Sequence, residues 1–198
     1  MTMTHHITHE ALMHGVDWTG QDVTGWTAQE KLRGCRALWT GRRLLTRQGH
    51  EIAAPAFLTD GLPDAPLDCE LYAGPHGESI VAGCILSRSA EYPRWAGVTL
   101  NAFDAPLARG NFSERRHWIF CNVPWEQQHS GNVFRVANVK SLMMQLRDVL
   151  KREGEGLMLR HPVKGYIAGR HNSLLKVKAG SVEYALAEAI NAELGAAV

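Results

Sequence analysis

The clearest hydrophobic period lies toward the end of the chain. From Lys140 to Arg152 the apolar residues Leu142, Met143, Leu146, Val149 and Leu150 recur at three- and four-residue spacing. That pattern predicts an amphipathic helix, and Gly154 ends it. A second helical period, Leu186, Ala189, Ile190 and Leu194, predicts a helix from about Val182 to Leu194. Elsewhere the apolar runs are short. Residues 67–72, 98–103, 117–123, 157–159 and 174–178 read as strands. Trp26 to Trp39 alternates around Gly34, turns through Thr40-Gly41-Arg42-Arg43 and returns as Leu44-Leu45-Thr46, which predicts a hairpin. Pro55, Gly61, Pro63 and Pro66 mark residues 50–66 as loop. Residues 1–23 read as a polar arm, 24–180 as the main domain and 181–198 as a terminal helix. Strands and helices mix without regular βαβ alternation, so the fold class is α+β.

Composition narrows the setting. The 198 residues are enough for one sizeable core, and 45% apolar with 21% charged residues is ordinary for a globular protein. No run of about 18 apolar residues is present, so no membrane partner is expected. The His-rich start (His5, His6, His9, His14) lacks the apolar stretch of a secretory signal. Cys35, Cys69, Cys84 and Cys121 form no CxxC pair, which points to a reducing, cytoplasmic setting. The net charge of +1 is uninformative, but two segments are basic and acid-free. One holds Lys31, Arg33, Arg36, Arg42, Arg43 and Arg47; the other holds Arg160, Lys164, Arg170, Lys176 and Lys178. They are either solvated surface or parts of an anion-binding face.

The candidate chemistry begins at Glu30-Lys31-Leu32-Arg33-Gly34-Cys35-Arg36. A lysine amine attacks only when deprotonated, so its reference pKa of about 10.4 must fall through burial or a nearby cation. Within one strand Arg33 would share the Lys31 face and could supply that cation. Gly34 would let a ligand or another backbone come close. Asp68 and Glu70 share a face of the 67–71 strand and could hold Mg²⁺ or a ribose, or be solvated. Phe103 is either core or a platform for a base. Glu155 stands just before an apolar strand, and Lys176 and Lys178 form a cation pair suited to phosphates.

In order and spacing these segments resemble the covalent nucleotidyltransferases, and most closely the small ATP-dependent DNA ligases of bacteria and their viruses. The resemblance rests on Thr24-Gly25-Trp26, Glu30 to Gly34 with Arg36, Arg47 with Gly49, Leu67 to Leu71, Phe103-Asp104, Glu155 to Arg160, and Tyr166, Gly169, Arg170 with Leu174 to Lys178. It spans about residues 24–178 and implies an adenylyltransferase domain of antiparallel sheets flanked by helices. It also implies roles. Lys31 would take AMP from ATP, with Glu30 and Phe103 against the adenine and Arg36 and Glu70 at the ribose or phosphate. Glu155, with Glu70, would place Mg²⁺. Lys176 and Lys178 would neutralise the α-phosphate, and Arg47 with Arg33 would grip phosphates of nicked duplex DNA. An RNA ligase or RNA-end nucleotidyltransferase, or a non-catalytic nucleotide- or DNA-end-binding protein, are the other readings of the same residues.

Two departures stand out. Arg33 occupies a position where the family carries Asp. After Lys178 only 20 residues follow, too few for the oligonucleotide-binding barrel that family members place there, so either the catalytic domain works alone or a separate clamp or oligonucleotide-binding protein supplies the grip.

Overall fold

Lys31 is the last residue of its strand, and that break organises the chain. The computed structural model describes residues 8–129 and 131–181. They divide into two compact units. One comprises residues 14–32, 131–162 and 170–181; the other comprises residues 8–13, 33–129 and 163–169. The segment expected to form one strand from Trp26 to Trp39 is therefore two strands, β2 (Thr27–Lys31) and β3 (Cys35–Trp39), in different sheets.

The first unit carries a five-stranded sheet, in the order β1 (Met13–Asp17), β9 (Gly169–Val177), β8 (Gly156–Arg160), β2, β7 (Val133–Arg135). Helix α4 (Val139–Lys151) packs on it. Asn138 caps α4 by accepting the Ser141 N–H, and the apolar period found in the sequence becomes the buried face Leu142, Met143, Leu146 and Val149. These side chains meet Ala28, Leu157, Leu159, Leu175 and Val177 from the sheet. Of the polar arm expected through residue 23, the described part, from residue 8 on, is folded into this unit and the other. Leu12, Met13, Trp18 and Val23 are buried, and Met13 to Asp17 form the edge strand β1. The few apolar residues there are spaced to fill gaps in a core that distant strands supply, which local polarity hides.

The second unit carries a four-stranded antiparallel sheet in the order β4 (Leu44–Thr46), β3, β5 (Leu67–Tyr72), β6 (Thr99–Asp104). The β3–β4 hairpin turns at Gly41, whose φ of +93° suits glycine. Helices α1 (Glu78–Ser87), α2 (Tyr92–Trp95) and α3 (Phe112–Asn122) belong to this unit. Residues 117–123, expected as a strand, lie within and just beyond α3. The deciding signal sits upstream: Asn111 accepts the Ser113 and Glu114 N–H groups while Glu114 accepts that of Asn111, a full capping box. The expected helix at 182–194 lies outside the described residues. No described helix is long and apolar enough to cross a membrane.

Candidate functional site

Strand register assembles the lysine end of the first unit. Lys31 lies opposite Gly156, and Leu157 lies opposite Val177. The end of β2, the start of β8 and the end of β9 therefore meet. Glu155 immediately precedes Gly156, and Lys178 immediately follows Val177. Glu155 accepts from Lys31 Nζ through Oε2 and from Lys178 Nζ, at 3.0 Å, through Oε1. Gly156 permits this approach: its φ is +149°, and a Cβ there would lie 2.2 Å from the Val177 carbonyl oxygen. Burial pushes the Glu155 carboxyl up, but hydrogen bonds and charge from Lys31 and Lys178 hold it below its ordinary value. Lys176 takes a different partner, Asp17, at 3.2 Å. Lys178 lies one residue past the end of β9, so the two lysines are not a matched pair within one strand.

Alternation along β2 sorts its neighbours. Ala28 faces the α4 core, so Gln29 and Lys31 point to the opposite side. Glu30 points with Ala28: its carboxylate pairs with Arg152 at 3.2 Å, just past the end of α4. The adenine-side role expected for Glu30 therefore does not match its orientation. Gln29, only 2% exposed on the Lys31 face, is the residue that the sequence reading missed. Counting two back from the lysine would have found it. The same rule removes the shared-face argument for Arg33, because β2 stops at Lys31 and Arg33 lies in the exposed turn that follows.

In the second unit Gly34 meets backbone rather than ligand. Its N–H donates to Glu70 Oε1 at 3.0 Å, and a Cβ would lie 2.0 Å from the Leu71 carbonyl oxygen. Arg36 and Asp68 form a bidentate pair, Nε to Oδ1 at 2.8 Å and Nη2 to Oδ2 at 2.6 Å. Nη2 also donates to the Met13 carbonyl at 2.7 Å. Tyr166 closes the ring: its hydroxyl donates to Asp68 Oδ2 at 2.6 Å and accepts the Met13 N–H at 2.9 Å. Burial would lower the Arg36 pKa, but the Asp68 charge more than offsets it and the pKa is raised. Asp68 is 1% exposed and fully engaged, so of the expected acidic pair only Glu70 remains a candidate for a ligand. Phe103 is half-buried on β6, with the Arg36 guanidinium 5.7 Å from its ring centre. Arg47 is exposed in the turn after β4.

Among the described residues no three His, Cys, Asp or Glu side chains converge as a metal cage. Glu155 offers a single carboxylate, which suits Mg²⁺, an ion that takes one or two carboxylates and fills its shell with water and phosphate oxygens. In chemical terms the lysine end is an amine and a second cation gathered on one carboxylate, able to exchange that carboxylate for phosphate.

No family model matches the chain. A DNA ligase of Haemophilus influenzae is 31% identical over 165 residues, which are 81% of this chain and 60% of that protein, so the chain spans less than two thirds of its relative's length. Among solved structures, a Lig E DNA ligase superposes with a TM-score of 0.76 at 32% identity, over 85% of this chain and 68% of its own. The Chlorella virus DNA ligase-adenylate superposes with a TM-score of 0.71 over 86% and 68%, and at 20% identity it shows the shared fold.

Proposed function

This chain belongs to the small ATP-dependent DNA ligases, and from that premise we propose that it seals nicks in duplex DNA through an AMP-bearing Lys31. The observation that carries the reading is the Lys31–Glu155–Lys178 cluster where three strand ends meet. The Lys31 amine attacks the α-phosphorus of ATP. A P–N bond forms, the α–β P–O bond breaks, pyrophosphate leaves and the amine loses a proton. The 5′-phosphate of the nick then takes AMP from the lysine, and the 3′-hydroxyl displaces AMP to join the strands.

Catalysis would be mostly charge neutralisation and in-line placement. Lys178 and Lys176 stabilise the negative charge at the α-phosphate. Mg²⁺, held by Glu155 and the phosphates, would supply further neutralisation. Gln29 takes the nucleotide-facing place on β2 that the sequence suggested for Glu30. Arg36, Glu70 and Phe103 serve the adenosine, with Glu70 at the ribose. Arg47 and Arg33, exposed cations, serve DNA phosphates. Arg33 then acts as a phosphate contact rather than as the metal-linked acid of the family.

The test is to incubate the protein with ATP labelled at the α-phosphate and Mg²⁺, denature it, and seek acid-labile label on the chain. Label that passes to nicked duplex DNA and leaves a sealed strand is the expected result. A chain that stays unlabelled refutes the proposal.

A further inference from the structure

In the second unit, one residue on the Glu70 side of the sheet has no role in the reading above. Asn101 is 5% exposed. Its neighbours on β6, Leu100 and Ala102, belong to the core, so Asn101 points to the opposite face. The register sets it directly across from Glu70, which is itself directly across from Arg36. Three polar residues thus form one row over three strands.

The hydrogen bonds determine which way the Asn101 amide points. The Thr99 hydroxyl donates its single proton to the Tyr72 carbonyl at 3.2 Å. Its oxygen can then only accept, and it accepts from Asn101 Nδ2 at 3.0 Å. The amide therefore turns Nδ2 to Thr99 and presents Oδ1 to the face of the sheet. Among the described residues Oδ1 has no donor. It is not among the fully buried side-chain atoms that lack a partner, so Asn101 Oδ1 reaches the surface, where a ligand donor can take the place of water.

We propose that Asn101 is a specificity residue that accepts a ribose hydroxyl of the nucleotide beside Glu70. Directly opposed residues on neighbouring strands hold their side chains about 5 Å apart. Two acceptors at that spacing fit the two donors of a vicinal diol, and a sugar lacking one hydroxyl leaves one acceptor unfilled. The proposal rests on the adenylylation reading and extends it to discrimination between ribo- and deoxyribonucleotides.

The test compares Lys31 labelling by ATP, 2′-deoxy-ATP and 3′-deoxy-ATP in the wild type, Asn101→Leu and Asn101→Asp. The wild type should favour ATP over one deoxy analogue by about five- to tenfold in kcat/KM, the worth of one hydrogen bond. Asn101→Leu should lose that preference, and Asn101→Asp, which keeps an acceptor, should retain it. Each preference is a ratio measured on one protein sample, so a smaller folded fraction cancels. A labelled wild type whose ATP preference is absent, or is unchanged in Asn101→Leu, overturns the Asn101 role and leaves the ligase reading intact. A wild type that no nucleotide labels refutes the ligase reading itself, and the Asn101 role falls with it.

Discussion

Glu155 and Asp68 are both carboxylates gripped by cations, yet they are held in opposite ways. Glu155 sits where strands end, bound by two lysines that each bring a single point charge and remain 25% and 49% exposed. Asp68 sits inside a strand, 1% exposed, and takes a guanidinium fork and a tyrosine hydroxyl. The lysine pairs are exchangeable, since an ammonium on a flexible stem can leave one anion for another. The arginine ring is closed, because every member also bonds to another member or to the Met13 backbone. The same charges are therefore held exchangeably in one unit and fixed in the other.

The sharpest way to break that contrast is to remove the amine. Lys31→Ala should abolish label on the protein, a loss of at least about a thousandfold, because the proposed reaction forms its P–N bond on that amine. Its stability should fall by about 1 kcal/mol or less, as expected for a partly exposed pair whose carboxylate keeps Lys178. Labelling and thermal melting of the same sample check both halves. Persistent label would relocate the nucleophile.

Asp68→Ala should show the reverse. It strips a partly buried Arg36 of its buried counter-charge, and such losses cost up to about 3 kcal/mol. Urea denaturation should show the drop before any assay is run. A shift below about 1 kcal/mol would mean that the ring is as loose as the lysine end.

The same contrast explains what could be read in the sequence. The α4 period, strands β5, β6, β8 and β9 and the β3–β4 hairpin were legible because each depends on residues close together in the chain. Lys31 and Glu155 were legible as residue types in order, although 124 positions separate them. The direction of a side chain was less so. Glu30 was misplaced because neighbours along a strand face opposite ways, so it turns away from Lys31, and Arg33 because β2 pairs only as far as Lys31 opposite Gly156. Asp68 looked like a ligand because its partners, Arg36 and Tyr166, lie 32 and 98 positions away. Helix α3 hides in its short apolar run, because the signal that fixes it, the Asn111 cap, lies upstream of that run.

Tyr166→Phe probes the ring more gently. It removes one hydroxyl and leaves Asp68 without one donor and the Met13 N–H without an acceptor, a loss of about 1–2 kcal/mol. Combined with Asp68→Ala it should add much less than the sum of the two, since both act in one network. Full additivity in a double-mutant cycle would separate Tyr166 from the ring.

The smallest effect belongs to Glu155→Gln measured for stability, and pH gives it a sign. Lys31 and Lys178 hold the Glu155 carboxyl below its ordinary value in the folded chain. A depressed carboxyl stabilises the fold above its unfolded pKa of about 4.3, and that contribution vanishes as pH falls through the folded value. The substitution should therefore cost a few tenths of a kcal/mol near pH 7, within the range of partly exposed pairs, and nothing well below pH 4. Melting curves across that range would show the two proteins converge in acid. A gap that stays constant with pH would mean that Glu155 contributes through packing, and the lysine end would then be as fixed as the arginine ring.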